Sequence, residues 1–131
     1  MRSASFLAFL PLLACGCAAG GEESRSSRAE ARLASELEGR VAGEAQACVP
    51  ARQNQALTVR DKRTIVYRDG DTLWVNRLEA VCSSLDPFGS LIVEAHGSRY
   101  CRNDLVRGLE SGSSIPGPWC RLGDFTPWRR R

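Results

Sequence analysis

The stretch Thr64-Ile65-Val66-Tyr67-Arg68-Asp69-Gly70-Asp71-Thr72-Leu73-Trp74-Val75-Asn76 decides the fold class. β-Branched and aromatic residues crowd both halves, as a pleated, half-buried surface requires. Between them, Asp69-Gly70-Asp71 supplies turn chemistry. An Asp-Gly pair flanked by two such runs is a strong short-range hairpin signal. The sequence therefore predicts strands over Thr64–Arg68 and Thr72–Asn76 with a tight turn between them.

Working outward, Ala56–Arg60 is a candidate strand on one side of the hairpin. On the other side, Ser90–His96 is a candidate strand closed by Gly97-Ser98, and Tyr100-Cys101 starts another. Ser111–Pro118 is excluded from regular structure by its glycines and prolines. A last short strand is expected around Trp119–Leu122. Upstream, Ala29, Leu33, Leu37, Val41 and Ala45 fall at every fourth residue, with Gly39 and Gly43 weakening the second half. This predicts a helix over Arg28–Glu38, ending near Gly39. The expected architecture is mainly β: a small antiparallel sheet, curled or barrel-like, with one N-terminal helix.

Further upstream the residues carry an address. Met1-Arg2-Ser3 is a positive start, and Phe6–Ala14 is a short apolar core. A membrane-spanning helix needs about 20 apolar residues, and Pro11 also interrupts this core. Leu12-Leu13-Ala14-Cys15 resembles the lipobox of bacterial lipoproteins, in which the cysteine is lipidated and becomes the first residue of the mature chain. Cys17 is the alternative anchor: cleavage there leaves an even set of cysteines. The reading is a signal peptide with lipobox over residues 1–17, then a flexible Gly/Glu/Ser/Arg tether over residues 18–28, then one domain over residues 29–131. Neither cysteine is followed by aspartate, which in bacterial lipoproteins implies release to the outer membrane, so the expected site is the periplasmic face of the cell envelope.

A chain of 131 residues has room for one domain. Without Arg2, 17 basic residues face 15 acidic ones, a balance that gives no case for nucleic acid. Arg129-Arg130-Arg131 is the only basic cluster and reads as a solvated tail, with lipid headgroups as the second meaning. Cys48, Cys82, Cys101 and Cys120 read as two disulfides, because their spacings of 34, 19 and 19 residues fit no zinc pattern and no C-x-x-C. Each bridge is worth about 2–4 kcal/mol in a domain with so small a core. Four cysteines allow three pairings.

Candidate chemistry is sparse. His96 is the single histidine, with no partner to share a metal and no evident nucleophile beside it. A thiol nucleophile at Cys101 competes with the disulfide reading, which export favours. Asp69 and Asp71 lack the further oxygen ligands of a calcium loop. Asp104 is read as capping a turn. Trp74, Trp119 and Phe125 are core candidates, and Trp128 is the aromatic expected at a surface or membrane interface. No catalytic or cofactor-binding signature is legible.

Gly39-Arg40-Val41-Ala42-Gly43, then Cys48, then Asp61–Tyr67 and Thr72–Arg77, then Cys101 with Asp104, and finally Leu122-Gly123-Asp124-Phe125-Thr126-Pro127 form an ordered series. Over about Leu37–Arg130 the chain resembles an uncharacterised family of short exported proteobacterial proteins. The resemblance implies no activity, ligand or catalytic residue. It does imply Cys48–Cys101 as the core bridge and Cys82–Cys120 as an added one. The functional expectation is a non-enzymatic envelope lipoprotein without cofactor: a structural or interaction module held to the membrane by its anchor and meeting an envelope protein. The alternative is a small inhibitor or binder of a secreted hydrolase such as lysozyme, since Gly97-Ser98-Arg99-Tyr100 is similar to the contact loop of such inhibitors.

Overall fold

The computed structural model describes residues 20–131. The expected signal peptide with its lipobox, Cys15, Cys17 and the first two residues of the expected tether lie outside the described residues. In chain order the elements are α1 (Gly20–Glu36), β1 (Arg40–Ala42), β2 (Cys48–Pro50), β3 (Thr58–Val59), β4 (Thr64–Asp69), β5 (Thr72–Arg77), β6 (Ser90–Glu94), β7 (Arg99–Cys101), β8 (Leu105–Leu109), β9 (Cys120–Arg121) and β10 (Phe125–Arg130).

The predicted hairpin is β4–β5, paired from Thr64↔Arg77 to Asp69↔Thr72. Its two-residue loop is Gly70-Asp71, and Gly70 alone of that pair has positive φ, at 57°. Glycine at the first central position is the signature of a type II′ turn, whose twist matches that of the strands. The hairpin is the middle of a five-stranded antiparallel sheet in the order β1-β10-β5-β4-β3. A ribbon β2-β7 and a three-stranded sheet β6-β8-β9 complete the β structure. The sheets are open; their edge strands do not close into a barrel.

Period-two alternation sorts the large sheet's side chains between two apolar clusters. Ile65, Tyr67, Trp74 and Phe125 join Val49, Leu85, Val106 and Leu122 in the main core beneath the smaller sheets. Val66, Leu73 and Val75 face the other way and are covered by Leu33 of α1, with Leu37 and Trp128 alongside. Because both faces are covered, Thr64 to Tyr67 are buried without a break.

Several boundaries differ from expectation. The helix starts at Gly20, so residues 20–28 of the expected tether are helical. Glu22 and Glu23 complement the positive end of the helix dipole, and Glu22 pairs with Lys62. The helix stops at Glu36, and Gly39 takes the left-handed turn at φ 72°. Val41 and Ala45 therefore leave the predicted helical stripe, and Val41 lies in β1. Arg129 and Arg130, expected in a solvated tail, belong to β10 and pair with Val41 and Arg40. Their side chains remain exposed, so their charges are still solvated.

The bridges are Cys48–Cys101 and Cys82–Cys120, as the resemblance implied. Cys48 and Cys101 are register partners across β2–β7. Two formed disulfides fit an oxidising compartment outside the cytosol. Among the described residues no helix is long and apolar enough to cross a membrane.

Candidate functional site

An open groove forms where the β2–β7 ribbon ends. Past Pro50 the chain leaves the ladder: the Ala51 N–H still donates to the Ser98 carbonyl at 2.9 Å, and a turn closes with Gln55 N–H donating to the Arg52 carbonyl at 3.1 Å. Four polar residues in a row, Arg52-Gln53-Asn54-Gln55, cannot enter the core and arch over solvent instead. Opposite them stands the loop Gly97-Ser98, where Gly97 has φ 79°. Between the two lies an open groove of about 670 Å³ lined by Ala51–Ala56, Gly97, Ser98 and Tyr100. A smaller depression of about 280 Å³ shares Asn54, Gln55 and Ala56 and continues toward Arg60 and Arg68.

The groove has rigid walls. The Tyr67 hydroxyl donates to the Pro50 carbonyl at 2.8 Å and accepts from the Arg52 N–H at 3.2 Å, fixing the arch to the large sheet. Its ring meets Tyr100 edge-on, with centroids 5.7 Å apart. Burial, with Asp69 and Tyr100 nearby, raises the Tyr67 phenol above its ordinary value. Arg52 Nε donates to Asp69 at 2.9 Å, an exposed pair of small energetic value that orients the arch. Cys48–Cys101 locks the ribbon behind it. Gln55 Oε1, on the wall shared by the two depressions, and Arg60 Nε, beside the smaller one alone, are buried without a hydrogen-bond partner.

The structure disperses the candidates for chemistry. The His96 side chain is 82% exposed, and its Nδ1 lies 3.4 Å from Asp104 Oδ1. Asp104 is buried and structural: Oδ2 accepts from the Cys101 N–H at 2.7 Å, the capping role read from the sequence. Cys101 is held in its bridge and carries no thiolate for His96 to activate. Asp69 sits in the hairpin and pairs with Arg52, while the Asp71 carbonyl accepts from Arg40 at 2.6 Å. Among the described residues no three His, Cys, Asp or Glu side chains gather into a metal-holding group.

Two aromatic placements are corrected. Trp74 and Phe125 are in the core, but Trp119 is 41% exposed and lies under the Arg107 guanidinium, 4.1 Å from the ring centroid. β9 is only two residues long, so Trp119 sits just outside it, on a loop. Trp128, expected at the surface, is half-buried against the Leu33 cluster. The groove itself was not foreseen, apart from the Gly97–Tyr100 loop. A polar run between Val49 and Leu57 signals a loop, and only the fold brings that loop opposite Ser98. No protein-family model, no curated protein and no solved structure matches this chain.

Proposed function

We propose that the chain is a lipid-anchored, non-enzymatic binding module of the cell envelope whose groove receives an extended segment of another envelope protein. The observation carrying this reading is the groove braced between the Arg52–Gln55 arch and the Gly97-Ser98 loop, with Gln55 Oε1 left without a hydrogen-bond partner in its lining. A buried polar atom without a partner costs about 1–3 kcal/mol. An extended chain entering the groove offers backbone N–H groups of the kind this acceptor lacks. The bridges support an extracytoplasmic address, and the lipobox-like Leu12–Cys15 supports the anchor.

The test is site-specific photo-crosslinking in native membranes with the reactive group at Asn54. The expected result is one discrete protein adduct that disappears when Ser98→Trp fills the groove. An adduct pattern indifferent to Ser98→Trp removes the groove from the function. Turnover of a cell-wall or small-molecule substrate, abolished by His96→Ala, overturns the non-enzymatic reading.

The second reading, an inhibitor of a secreted hydrolase such as lysozyme, is favoured by Gly97, Ser98 and Tyr100 lining the same groove. Absence of lysozyme inhibition at micromolar domain rules it out.

A further inference from the structure

Besides Val41 in β1, four large apolar side chains of the described residues stand in solvent: Val81 at 67%, Phe88 at 85%, Ile115 at 79% and Trp119 at 41% exposure. They belong to two loops, residues 78–89 and 110–119, that meet at one end of the β6-β8-β9 sheet, where Ser90 pairs with Leu109. The loops are pinned together. Cys82–Cys120 joins them, and Ser84 Oγ accepts from the Gly108 N–H and donates to the Pro118 carbonyl, each at 3.1 Å. Gly117 N–H donates to the Gly108 carbonyl at 2.9 Å. A Cβ on Gly108 would lie 1.7 Å from the Ser84 carbonyl oxygen, so the pin tolerates no bulk. Apolar tips held rigidly in water call for an occupant.

The start of α1 lies beside these loops. Glu22 pairs with Lys62, and the Lys62 carbonyl accepts from the Cys82 N–H at 2.7 Å. Arg63 donates to the carbonyls of Leu78 and Glu79 at 3.0 and 2.8 Å. Gly20 is only three residue steps beyond Cys17 and five beyond Cys15. At about 3.4 Å per residue these span at most roughly 10 and 17 Å. A lipid on either cysteine thus holds the bilayer close to the end of the molecule that carries the apolar tips. Trp119 stacked on Arg107 is an apolar ring joined to a cation, a combination suited to the headgroup level.

We infer that the loop tips Val81, Phe88, Ile115 and Trp119 dock on the lipid surface itself, a second attachment that fixes the domain's orientation and turns the groove toward its partner. The inference rests on the anchor proposed above for proximity, and on the apolar tips for contact. The test is Trp fluorescence of the full-length mature protein on vesicles of phosphatidylethanolamine and phosphatidylglycerol with brominated acyl chains. Loss of emission that vanishes in Trp119→Phe, and that Phe88→Ser with Ile115→Ser relieves, is the expected result. A vesicle-bound protein whose Trp119 emission is unchanged overturns the inference, including the case in which another protein covers the tips. Intact mass reports the anchor separately. Should the mass carry no acyl group, the anchor fails on its own. The same quenching measured on the unacylated chain then supports lipid contact, and its absence overturns it.

Discussion

Replacing Asn76 with alanine tests the internal logic of the fold. Asn76 is fully buried at the end of β5. Its Nδ2 donates to the Gly123 carbonyl at 2.7 Å, and its Oδ1 accepts from the Gly123 N–H at 2.9 Å. One side chain thus satisfies both backbone groups of a buried residue that belongs to no strand. Gly123 stands close against the Arg77 backbone, where an added Cβ would lie 2.2 Å from the carbonyl oxygen, so only glycine fits this approach. Asn76→Ala therefore strands a donor and an acceptor at about 1–3 kcal/mol each, for a total near 4 kcal/mol. Against a domain stability of about 5–15 kcal/mol this is severe. With a urea m-value of about 2 kcal/mol per M, the midpoint falls by roughly 2 M while m stays constant. Asn76→Asp supplies the control. Protonated, the carboxyl mimics the amide and donates to Gly123; ionised, it confronts a carbonyl. Its folded pKa is thereby raised, so its stability is fully present below the unfolded pKa and is lost as pH rises through the folded value. A loss under about 1 kcal/mol for Asn76→Ala, or pH-independent stability for Asn76→Asp, refutes the reasoning.

Two further outcomes follow from the bridge and from the groove's support. Cys82→Ala with Cys120→Ala opens a loop of sequence separation 38, which the chain-entropy relation values at about 4 kcal/mol; denaturant unfolding of the oxidised double variant measures it, and a loss under about 1 kcal/mol removes the bridge from the stability argument. Tyr67→Phe removes a buried hydroxyl that serves Pro50 and Arg52. Because the phenol's pKa is raised by burial, its contribution is intact below the unfolded value near 10 and fades as pH rises through the folded one. Stability measured against alkaline pH should accordingly decline in the native protein and less steeply in Tyr67→Phe; parallel profiles contradict the assignment.

Legibility followed the range of the forces. The β4–β5 hairpin was readable because its turn residue and both alternating runs lie within one short window. β6, β7 and β9 were found with frayed limits, and β3 shrank to Thr58–Val59. β8 was missed because Arg107 and Gly108 interrupt its apolar run, although Gly108 is required by the Ser84 backbone above it. β10 was hidden by Pro127, which ordinarily excludes a central strand. Here the Pro127 carbonyl accepts from the Gly43 N–H at 2.8 Å, so its nitrogen faces the β1 side, where the ladder has already ended at Ala42↔Trp128. The β5 ladder loses nothing. The groove was less legible still, since the arch and the Ser98 loop are brought together only by long-range strand pairing.

The position of β10 also bears on biosynthesis. Phe125–Arg130 lies between β1 and β5, so β1 joins the large sheet only through a strand that follows all the other described strands in sequence. A polypeptide emerging N-terminus first can zip the hairpin early and bring Cys48 to Cys101, but β1 has no partner in the large sheet until Phe125–Arg130 has emerged. Completion of the large sheet therefore waits on pairing as distant in sequence as Arg40 with Arg130, a non-local contact of the slow-forming kind.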